Sequence, residues 1–271
     1  MKLRTIPLAA LAAFTIAGPA SAATLLTDNF NGVDPDPESS NPIDGTYNVN
    51  YDLANRQTGT QKTQAWSPSN NVQVGNESVF GSTGFGGYMM LANPGANATL
   101  GGLTLSSSLV AANEKLVVSF KADVVEGTPD SNWMSFTMTA DSNSWPIVGS
   151  GDFGFLLTAG GGMQLFNVGT VVGPTLVTSS GIVDLTFTFS GADGTGSAFA
   201  GNGSSVSIFD GTNTWSTVLG GNLSSETIAF SNYADGGRGM LDNISVTTIP
   251  EPGAALLGGL GMLALLRRRR A

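Results

Sequence analysis

Carboxylates are the side chains of this sequence that could carry chemistry, because the chain has 20 Asp and Glu residues but no Cys and no His. The absence of these two residue types excludes Ser-His-Asp and Cys-His catalysis, disulfide bonds and zinc sites built on His or Cys. Two chemistries remain for the acids: glycoside hydrolysis by a pair of carboxylates, and the binding of a hard cation such as Ca²⁺ by oxygen ligands.

One acidic pair, Glu126 and Asp130 in VVEGTPDSNW, is close enough in sequence to be considered for hydrolysis. A Gly-Thr-Pro turn separates these two acids, so the segment predicts a loop and not a strand that would hold them at a fixed distance. We therefore predict no catalytic residues and no enzymatic activity, and keep a glycoside hydrolase as the least favoured alternative.

Two other acids occupy positions where an alternating strand would place apolar residues. In LLTDNF, Asp28 is in phase with Leu26 and Phe30, and in GMLDNISV, Asp242 is in phase with Met240 and Ile244. If both segments are regular strands, both carboxylates point towards the core, and adjacent first and last strands would let them share a structural Ca²⁺ with backbone carbonyls. We favour a second interpretation without a metal, in which each Asp lies at a bulge or strand end and accepts turn N–H groups.

Short apolar runs of period two cover most of the sequence between the termini. KLVVSFKAD, WMSFTMT and DLTFTFS alternate apolar with polar residues, as half-buried strands do. Turn signals such as SGADGTG, FDGTN and YADGG separate the runs, and no amphipathic helix is indicated. The pattern predicts an all-β fold, an antiparallel two-sheet sandwich. Shorter runs of the same kind are Phe153–Thr158, Met163–Val168, Val206–Phe209, Thr227–Asn232 and Met240–Thr247.

The alternation also predicts which side chains lie between the two sheets. Asn31–Gly45, rich in Pro, Asp and Ser, is the least strand-like segment and predicts a long surface loop or disorder. The predicted core residues are Leu116, Val118, Phe120, Met134, Phe136, Phe153, Phe155, Leu185, Phe187, Phe189, Val206 and Ile208.

The N-terminus has the composition of a secretory signal peptide, residues 1–22. Lys2 and Arg4 precede an apolar run from Leu8 to Gly18, and an Ala-Ser-Ala cleavage site ends at Ala22. We predict that signal peptidase cuts between Ala22 and Ala23 and that the body, residues 23–248, is exported. A retained membrane anchor is the alternative, although the apolar run is short for one.

The predicted body is strongly acidic. Residues 23–249 carry 19 acidic and 5 basic side chains, a net charge of −14. Such a surface repels phosphate backbones, so we predict no binding to nucleic acid, whereas cations and neutral glycans remain compatible with it.

The C-terminal segment, residues 249–271, combines a proline motif, a short apolar run and a basic cluster. Pro250 and Pro252 flank Glu251 and predict an extended, accessible tripeptide. The 14 uncharged residues Gly253–Leu266 would form a helix of about 21 Å, shorter than a hydrocarbon core of about 30 Å.

The basic cluster predicts how this segment would lie in a membrane. Arginines that follow an apolar run stay on the cytoplasmic side, so the cluster would act as a membrane stop. We therefore predict a short transmembrane helix that is inserted transiently, with the body outside. The residues of the predicted membrane stop are Arg267, Arg268, Arg269 and Arg270.

This order of Pro-Glu-Pro, apolar helix and basic terminus resembles the PEP-CTERM sorting signal. The resemblance implies a Gram-negative host, recognition by a membrane exosortase, and processing near Pro250-Glu251-Pro252. It also implies a role at the cell surface or in the extracellular matrix, with exopolysaccharide and biofilm. A permanent C-terminal anchor is the alternative to processing.

The body resembles concanavalin A-like (laminin G-like) jelly rolls in the order of its segments. That order is carried by Leu25–Phe30, Phe153–Asn167, Ile182–Gly191, Ser204–Gly211 and Gly237–Pro250. The resemblance implies a jelly-roll sandwich, and sandwich glucanases of this type hold their acids in a Glu-x-Asp-x-Glu strand that this sequence lacks.

Three functions for the body follow from these features. The first is an exported, exosortase-processed surface or matrix protein without catalysis, the second a lectin-like glycan-binding module, and the third a glycoside hydrolase. Exposed aromatic rings would stack on sugars in the second case, although most of them should pack in the core. The Trp and Tyr residues are Trp66, Trp133, Trp145, Trp215, Tyr47, Tyr51, Tyr88 and Tyr233.

Overall fold

A computed structural model of the protein describes most of the predicted body. The described residues are 22–30, 48–49, 57–58, 64–69, 72–76, 84–85, 87–91, 96–125, 133–139, 151–167, 170–178, 181–201, 203–219, 221, 223–224, 226–233 and 238–251. Residues 1–21 of the predicted leader, the Asn31–Gly45 loop, the acids Glu126 and Asp130, and residues 252–271 lie outside them.

The described residues form strands and turns, and Ala22–Glu251 make one compact unit. No helix in the described part of the chain is long and apolar enough to cross a membrane. The strands are β1 (Ala23–Asp28), β2 (Asn48–Val49), β3 (Gln57–Thr58), β4 (Gln64–Pro68), β5 (Val72–Asn76), β6 (Gly87–Leu91), β7 (Asn97–Gly101), β8 (Glu114–Val125), β9 (Trp133–Thr139), β10 (Gly151–Thr158), β11 (Gly162–Asn167), β12 (Thr170–Val177), β13 (Val183–Gly191), β14 (Ser204–Phe209), β15 (Thr214–Val218), β16 (Thr227–Tyr233) and β17 (Arg238–Pro250).

These strands build two sheets in which every described pairing is antiparallel. The first sheet has the order β15-β14-β13-β8-β17-β6-β5-β2, and β1 also pairs with β17. The second sheet has the order β12-β11-β10-β9-β16-β7-β4-β3. The predicted all-β, antiparallel two-sheet sandwich is therefore confirmed.

The core lies between the two sheets and is rich in phenylalanine. All 12 side chains that the alternation assigned to it are buried. Phe187 of β13 lies near its centre, with ring centroids 5.1 Å from Phe136 and 4.9 Å from Phe155 of the second sheet. Aromatic pairs at these separations add stabilisation to the burial of their surface, so the Phe cluster helps to hold the two sheets together.

Strand β17 contains a bulge that changes which side chains face the core. Its register with β8 shifts between Asp242 and Ser245, and Asn243 has a positive φ of 52°. Leu241 and Ile244 therefore both pack in the core, whereas Asp242 pairs with Lys121 on the outer face of the first sheet. The alternative in which Asp242 points into the core is wrong, because the extra residue reverses the alternation. Asp242 lies at a bulge, as in the favoured interpretation.

Candidate functional site

The outer face of β13, β14 and β15, the side turned away from the second sheet, carries a cleft lined largely by hydroxyl groups. Alternation produces this lining directly: Phe187 and Phe189 of β13 point into the core, so Thr188 and Ser190 point out. The cleft has a volume of about 710 Å³ and opens to solvent. Its lining includes Lys115, Thr188, Ser190, Asp193, Ser205, Ser207, Ser216 and Val218.

Strand register aligns the hydroxyls of the cleft floor into rows. Thr188 pairs with Ser207, and Ser207 pairs with Ser216, so one row crosses three strands at a spacing of about 4.8 Å per strand. Within the described part of the chain, these three side chains make no hydrogen bond. In the neighbouring row, the hydroxyls of Ser190 and Ser205 lie 3.0 Å apart and are hydrogen-bonded to each other. The first row is therefore available to a ligand.

An exposed aromatic ring extends this surface. Phe209 follows Ser207 by two residues on the same face of β14, between Thr186 of β13 and Thr214 of β15. Its side chain is 42 % exposed, whereas the other Phe side chains that the structure describes are buried. An apolar ring beside a row of hydroxyls gives the face one surface for packing and one for hydrogen bonding.

The wall of the cleft is a turn that connects β13 to the following segment. Gly194 has a φ of 81°, a left-handed conformation that glycine adopts without strain. The Asp193 carboxylate accepts hydrogen bonds from the hydroxyl and the amide of Thr195, and these bonds lower the pKa of Asp193. Lys115 donates to the carbonyl oxygen of Gly194 at 2.6 Å and so fixes the turn against β8.

This arrangement can bind a polar ligand, but it offers little for catalysis. Of the described residues that line the cleft, Asp193 is the one carboxylate, and its lowered pKa keeps it ionised near neutral pH. A glycosidase needs a second acid, protonated, across the scissile bond. The prediction of a non-catalytic protein stays a prediction, because part of the chain lies outside the described residues.

The tryptophans with described side chains do not line this cleft. Trp66 is fully buried in the core, and Trp215 is half-buried and packs against it. Trp133 is half-buried at the start of β9 in the other sheet. Trp145, Tyr47 and Tyr51 lie outside the described residues, and the side chains of Tyr88 and Tyr233 are not described. The sequence-based prediction of stacking rings was limited to Trp and Tyr and did not include the hydroxyl rows or Phe209.

Asp28, the first of the two acids predicted to bind Ca²⁺, lies at the end of β1 and is buried. Its Oδ2 accepts a hydrogen bond from the Trp66 indole N–H at 2.9 Å, and its Oδ1 accepts one from the Phe30 amide at 2.9 Å. The carboxylate thus joins β1 to the second sheet through Trp66. This is the strand-end geometry of the interpretation without a metal.

Asp242, the second of these acids, is also buried but lies on the outer face of the first sheet. Its Oδ1 accepts a hydrogen bond from the Asn243 amide at 2.7 Å, whereas Oδ2 has no partner among the described residues. Burial raises the pKa of Asp242 to about 6, and the nearby Asp28 carboxylate contributes to the rise, while Lys121 opposes it. Asp242 is therefore an acid whose ionisation is costly.

The residues fit a shared Ca²⁺ poorly. Both oxygens of Asp28 already accept hydrogen bonds, and the described residues contain no group of three or more acids close enough to hold a metal ion. A pocket of about 330 Å³ lies beside the two strands and is lined by Asn29 and Asn243, among others. Calcium sites usually take six to eight oxygen ligands, of which Asp242 Oδ2 would be one. The shared ion remains the less favoured alternative, and the calcium experiment below tests it.

The predicted processing motif begins inside the folded body. Pro250 is the last residue of β17 and pairs with Glu114. The Glu251 amide donates to the carbonyl oxygen of Asn113 at 2.9 Å, and Glu251 Oε1 lies 3.4 Å from Lys115 Nζ. Glu251 is therefore held on the body and is not the freely accessible residue that the two prolines predict.

The rest of the predicted sorting signal lies outside the described residues. This holds for the third residue of the motif, for the apolar run and for the whole basic cluster. The transmembrane helix and the membrane stop therefore stay predictions from the sequence. The site residues concerned are Pro252, Arg267, Arg268, Arg269 and Arg270.

At the other end of the body, the predicted signal-peptidase site lies at the surface. Ala22 and Ala23 are both exposed, and Ala23 is the first residue of β1. The predicted cleavage would therefore leave β1 and its pairing with β17 complete.

Comparison with known proteins gives similar folds and no family. No protein-family model matches the sequence, and no curated protein matches it either. Among solved structures, an endo-1,3-beta-glucanase from Streptomyces sioyaensis is 12% identical with a TM-score of 0.47, over 87% of this chain and 99% of that one. Arcelin-5, a lectin-like defense protein from Phaseolus vulgaris, is 8% identical with a TM-score of 0.47, over 86% of this chain and 100% of that one. The carbohydrate binding module CBM66 from Bacillus subtilis is 10% identical with a TM-score of 0.41, over 66% of this chain and 92% of that one.

Proposed function

We propose that the sandwich body is a non-catalytic glycan-binding module that acts outside the cell, and that its ligand lies in the cleft on β13, β14 and β15. The observation that supports this proposal is the row Thr188, Ser207 and Ser216, whose hydroxyls are aligned, outward-facing and beside the exposed Phe209. Hydroxyls both donate and accept hydrogen bonds, so they complement the hydroxyls of a sugar, and an aromatic ring packs on the apolar face of a pyranose.

The charge of the body favours a neutral glycan over an acidic polymer. A net charge of −14 repels polyanions at long range, and the lining of the cleft has one lysine and one aspartate among its described residues. Neutral exopolysaccharide of the host is the natural candidate. A structural role in a surface matrix without sugar binding is the second candidate and is separated from the first by experiment.

The cleft is tested with a glycan array that includes the host exopolysaccharide, together with an assay for released reducing sugar. Ser207→Ala and Phe209→Ala are each expected to weaken binding about two- to tenfold, as the loss of one neutral hydrogen bond or one ring contact does. Ser119→Ala is the matched control, because Ser119 lies on the same face of the same sheet, on β8, outside the cleft lining. Release of sugar would indicate a hydrolase, and silence in both assays a structural role.

The proposal also includes export and sorting by the two ends of the chain. It rests on the leader, residues 1–22, and on the tail, residues 249–271, which resembles an exosortase substrate. We expect Ala23 as the mature N-terminus and loss of a tail of about 2 kDa from the surface form. A protein that starts at Met1, or a surface form that keeps Arg270, contradicts this part and leaves the binding proposal intact.

A further inference from the structure

The start of the Pro-Glu-Pro motif contacts the body at two residues. Asn113 immediately precedes β8, and Lys115 is the second residue of β8. The Glu251 amide donates to Asn113 O at 2.9 Å, and the Glu251 carboxylate pairs with Lys115 Nζ at 3.4 Å. Pro250 is held as well, because it is the last paired residue of β17. We name Asn113 and Lys115 the tail dock.

The tail dock is rigidly connected to the rest of the sheet. Glu114, between its two members, donates its amide to Ala111 O at 2.9 Å and accepts the Ala111 amide through Oε2 at 3.1 Å, which closes the turn. Lys115 is bonded at the same time to Gly194 O, so its ammonium is already positioned when Glu251 arrives. A preformed partner lowers the entropic cost of holding Glu251.

We propose that the tail dock restrains removal of the tail, by holding Pro250 in the sheet and Glu251 against its edge so that an enzyme cannot bind them until they detach. Enzymes that cut peptides generally take an extended segment whose backbone groups pair with the enzyme. The Glu251 amide cannot donate to Asn113 and to an enzyme at once. Cleavage therefore depends on local opening of the last residues of β17. This inference rests on the proposed processing of the tail.

The restraint is modest, because the pair is partly solvated. The side chains of Lys115 and Glu251 are 29% and 26% exposed, and ion pairs of this kind change an equilibrium by about two- to fivefold. Tail removal is thus slowed and not prevented. A body whose last strand is unpaired, as in an incompletely folded chain, would lose the tail faster.

The test uses the full chain with Lys115→Ala, and with Lys121→Ala as the matched control. Lys121 lies on the same strand and the same face as Lys115 and is half-buried. It donates to Gly84 O at 2.9 Å, at a position of the sheet far from the tail. Hydrogen exchange of the Glu251 amide measures opening of the dock in purified protein. Pulse labelling in the host measures the rate of tail loss.

We expect Lys115→Ala to accelerate both the exchange and the tail loss about two- to fivefold, and Lys121→Ala to change neither. Faster exchange with unchanged or slower tail loss would overturn the inference, because the enzyme would then recognise the docked motif. Unchanged exchange would also overturn it, since Lys115 would not hold the tail. If no variant and no wild-type chain loses its tail, the proposed processing itself fails, and the exchange result still shows whether the dock exists.

Discussion

Replacement of Asp242 by Asn is expected to stabilise the protein above pH 6 and to have little effect near pH 4. The carboxylate is buried, and one of its oxygens lacks a described partner while the other accepts the Asn243 amide. Burial raises the pKa of Asp242 from 3.8 to about 6. The folded chain thus binds this proton more tightly than the unfolded chain. The stabilisation is fully present below about pH 4 and is lost as the pH rises through about 6.

The size of the effect follows from the pKa difference. At about 1.36 kcal/mol per unit, the change from 3.8 to about 6 sets an upper limit of about 3 kcal/mol on the cost of ionising Asp242. The carboxylate lies on the outer face of the sheet opposite Lys121, where water and the ammonium reduce this cost, so we expect about 1–2 kcal/mol. In a body of this size, that corresponds to a rise in Tm of about 2–8 °C.

Thermal unfolding of wild type and Asp242→Asn between about pH 4 and pH 8 measures this difference. The amide oxygen of Asn still accepts the Asn243 N–H, so the substitution removes the charge with little change of shape. Asp184→Asn is the matched control. Asp184 is an exposed acid on β13, and the strand register places it opposite Lys121 on the other side of β8 from Asp242. Asp184→Asn should change the free energy of unfolding by no more than about 0.5 kcal/mol at every pH.

Stabilisation of the wild-type protein by calcium would refute this reasoning. If Asp28 and Asp242 share a Ca²⁺, the ion favours the ionised carboxylate, and Asp242→Asn then lowers the Tm near pH 7. Wild-type protein would also melt higher with excess calcium than with EDTA, and the variant would not. We expect the same wild-type midpoint in EDTA and in calcium.

Two further pairs of substitutions test the core and the first strand, each by the free energy of unfolding in urea. Phe187→Ala should lower the free energy of unfolding by about 3–5 kcal/mol, because it leaves a cavity among packed rings. Thr188→Ala on the opposite face should lower it by less than about 0.5 kcal/mol, and equal losses would contradict the alternation. Asp28→Ala should cost about 2–4 kcal/mol, because it removes the acceptor of the Phe30 amide and the Trp66 indole, and Asp28→Asn, which keeps one acceptor oxygen, should cost less. Similar costs for both Asp28 variants would show that these hydrogen bonds contribute little.

The core could be predicted from the sequence because one rule, period two, decides which face of a strand is buried. In DLTFTFS, Leu185, Phe187 and Phe189 fall on one face, and all three are buried in the structure. The rule needs no knowledge of the neighbouring strands, since each strand of a sandwich has one face towards the core. The same rule predicted the outward direction of Thr186 and Thr188.

Asp242 shows where this rule fails. One extra residue, Asn243 at positive φ, separates a regular segment before the bulge from another after it. Apolar residues occur on both sides of the bulge, so the sequence reads as an unbroken alternation. Two local signs of the bulge are present in the sequence: a carboxylate in phase with apolar residues, and an Asn, which is among the few residues that adopt this conformation readily.

The cleft was not predicted for a different reason. Its hydroxyls come from three strands, and the rows exist only after the register brings Thr188, Ser207 and Ser216 side by side. Each strand alone shows ordinary Ser and Thr residues on a solvent face, which carries no functional information. Pairing DLTFTFS with SSVSIF and TWSTV as consecutive hairpin strands would have aligned the rows, and the turn signal FDGTN supported the second of these hairpins.

Lys115 connects the proposed binding cleft with the C-terminal motif. It lines the cleft, bonds to Gly194 in the cleft wall and pairs with Glu251 of the tail. A ligand that moves the wall therefore changes the position of the ammonium that holds Glu251. By linkage, any factor by which the docked tail alters sugar affinity must equal the factor by which sugar alters docking of the tail. Two measurements therefore report the same coupling. One is the difference in sugar affinity between the full chain and a chain ending at Pro250, and the other is the difference in hydrogen exchange of the Glu251 amide with and without sugar.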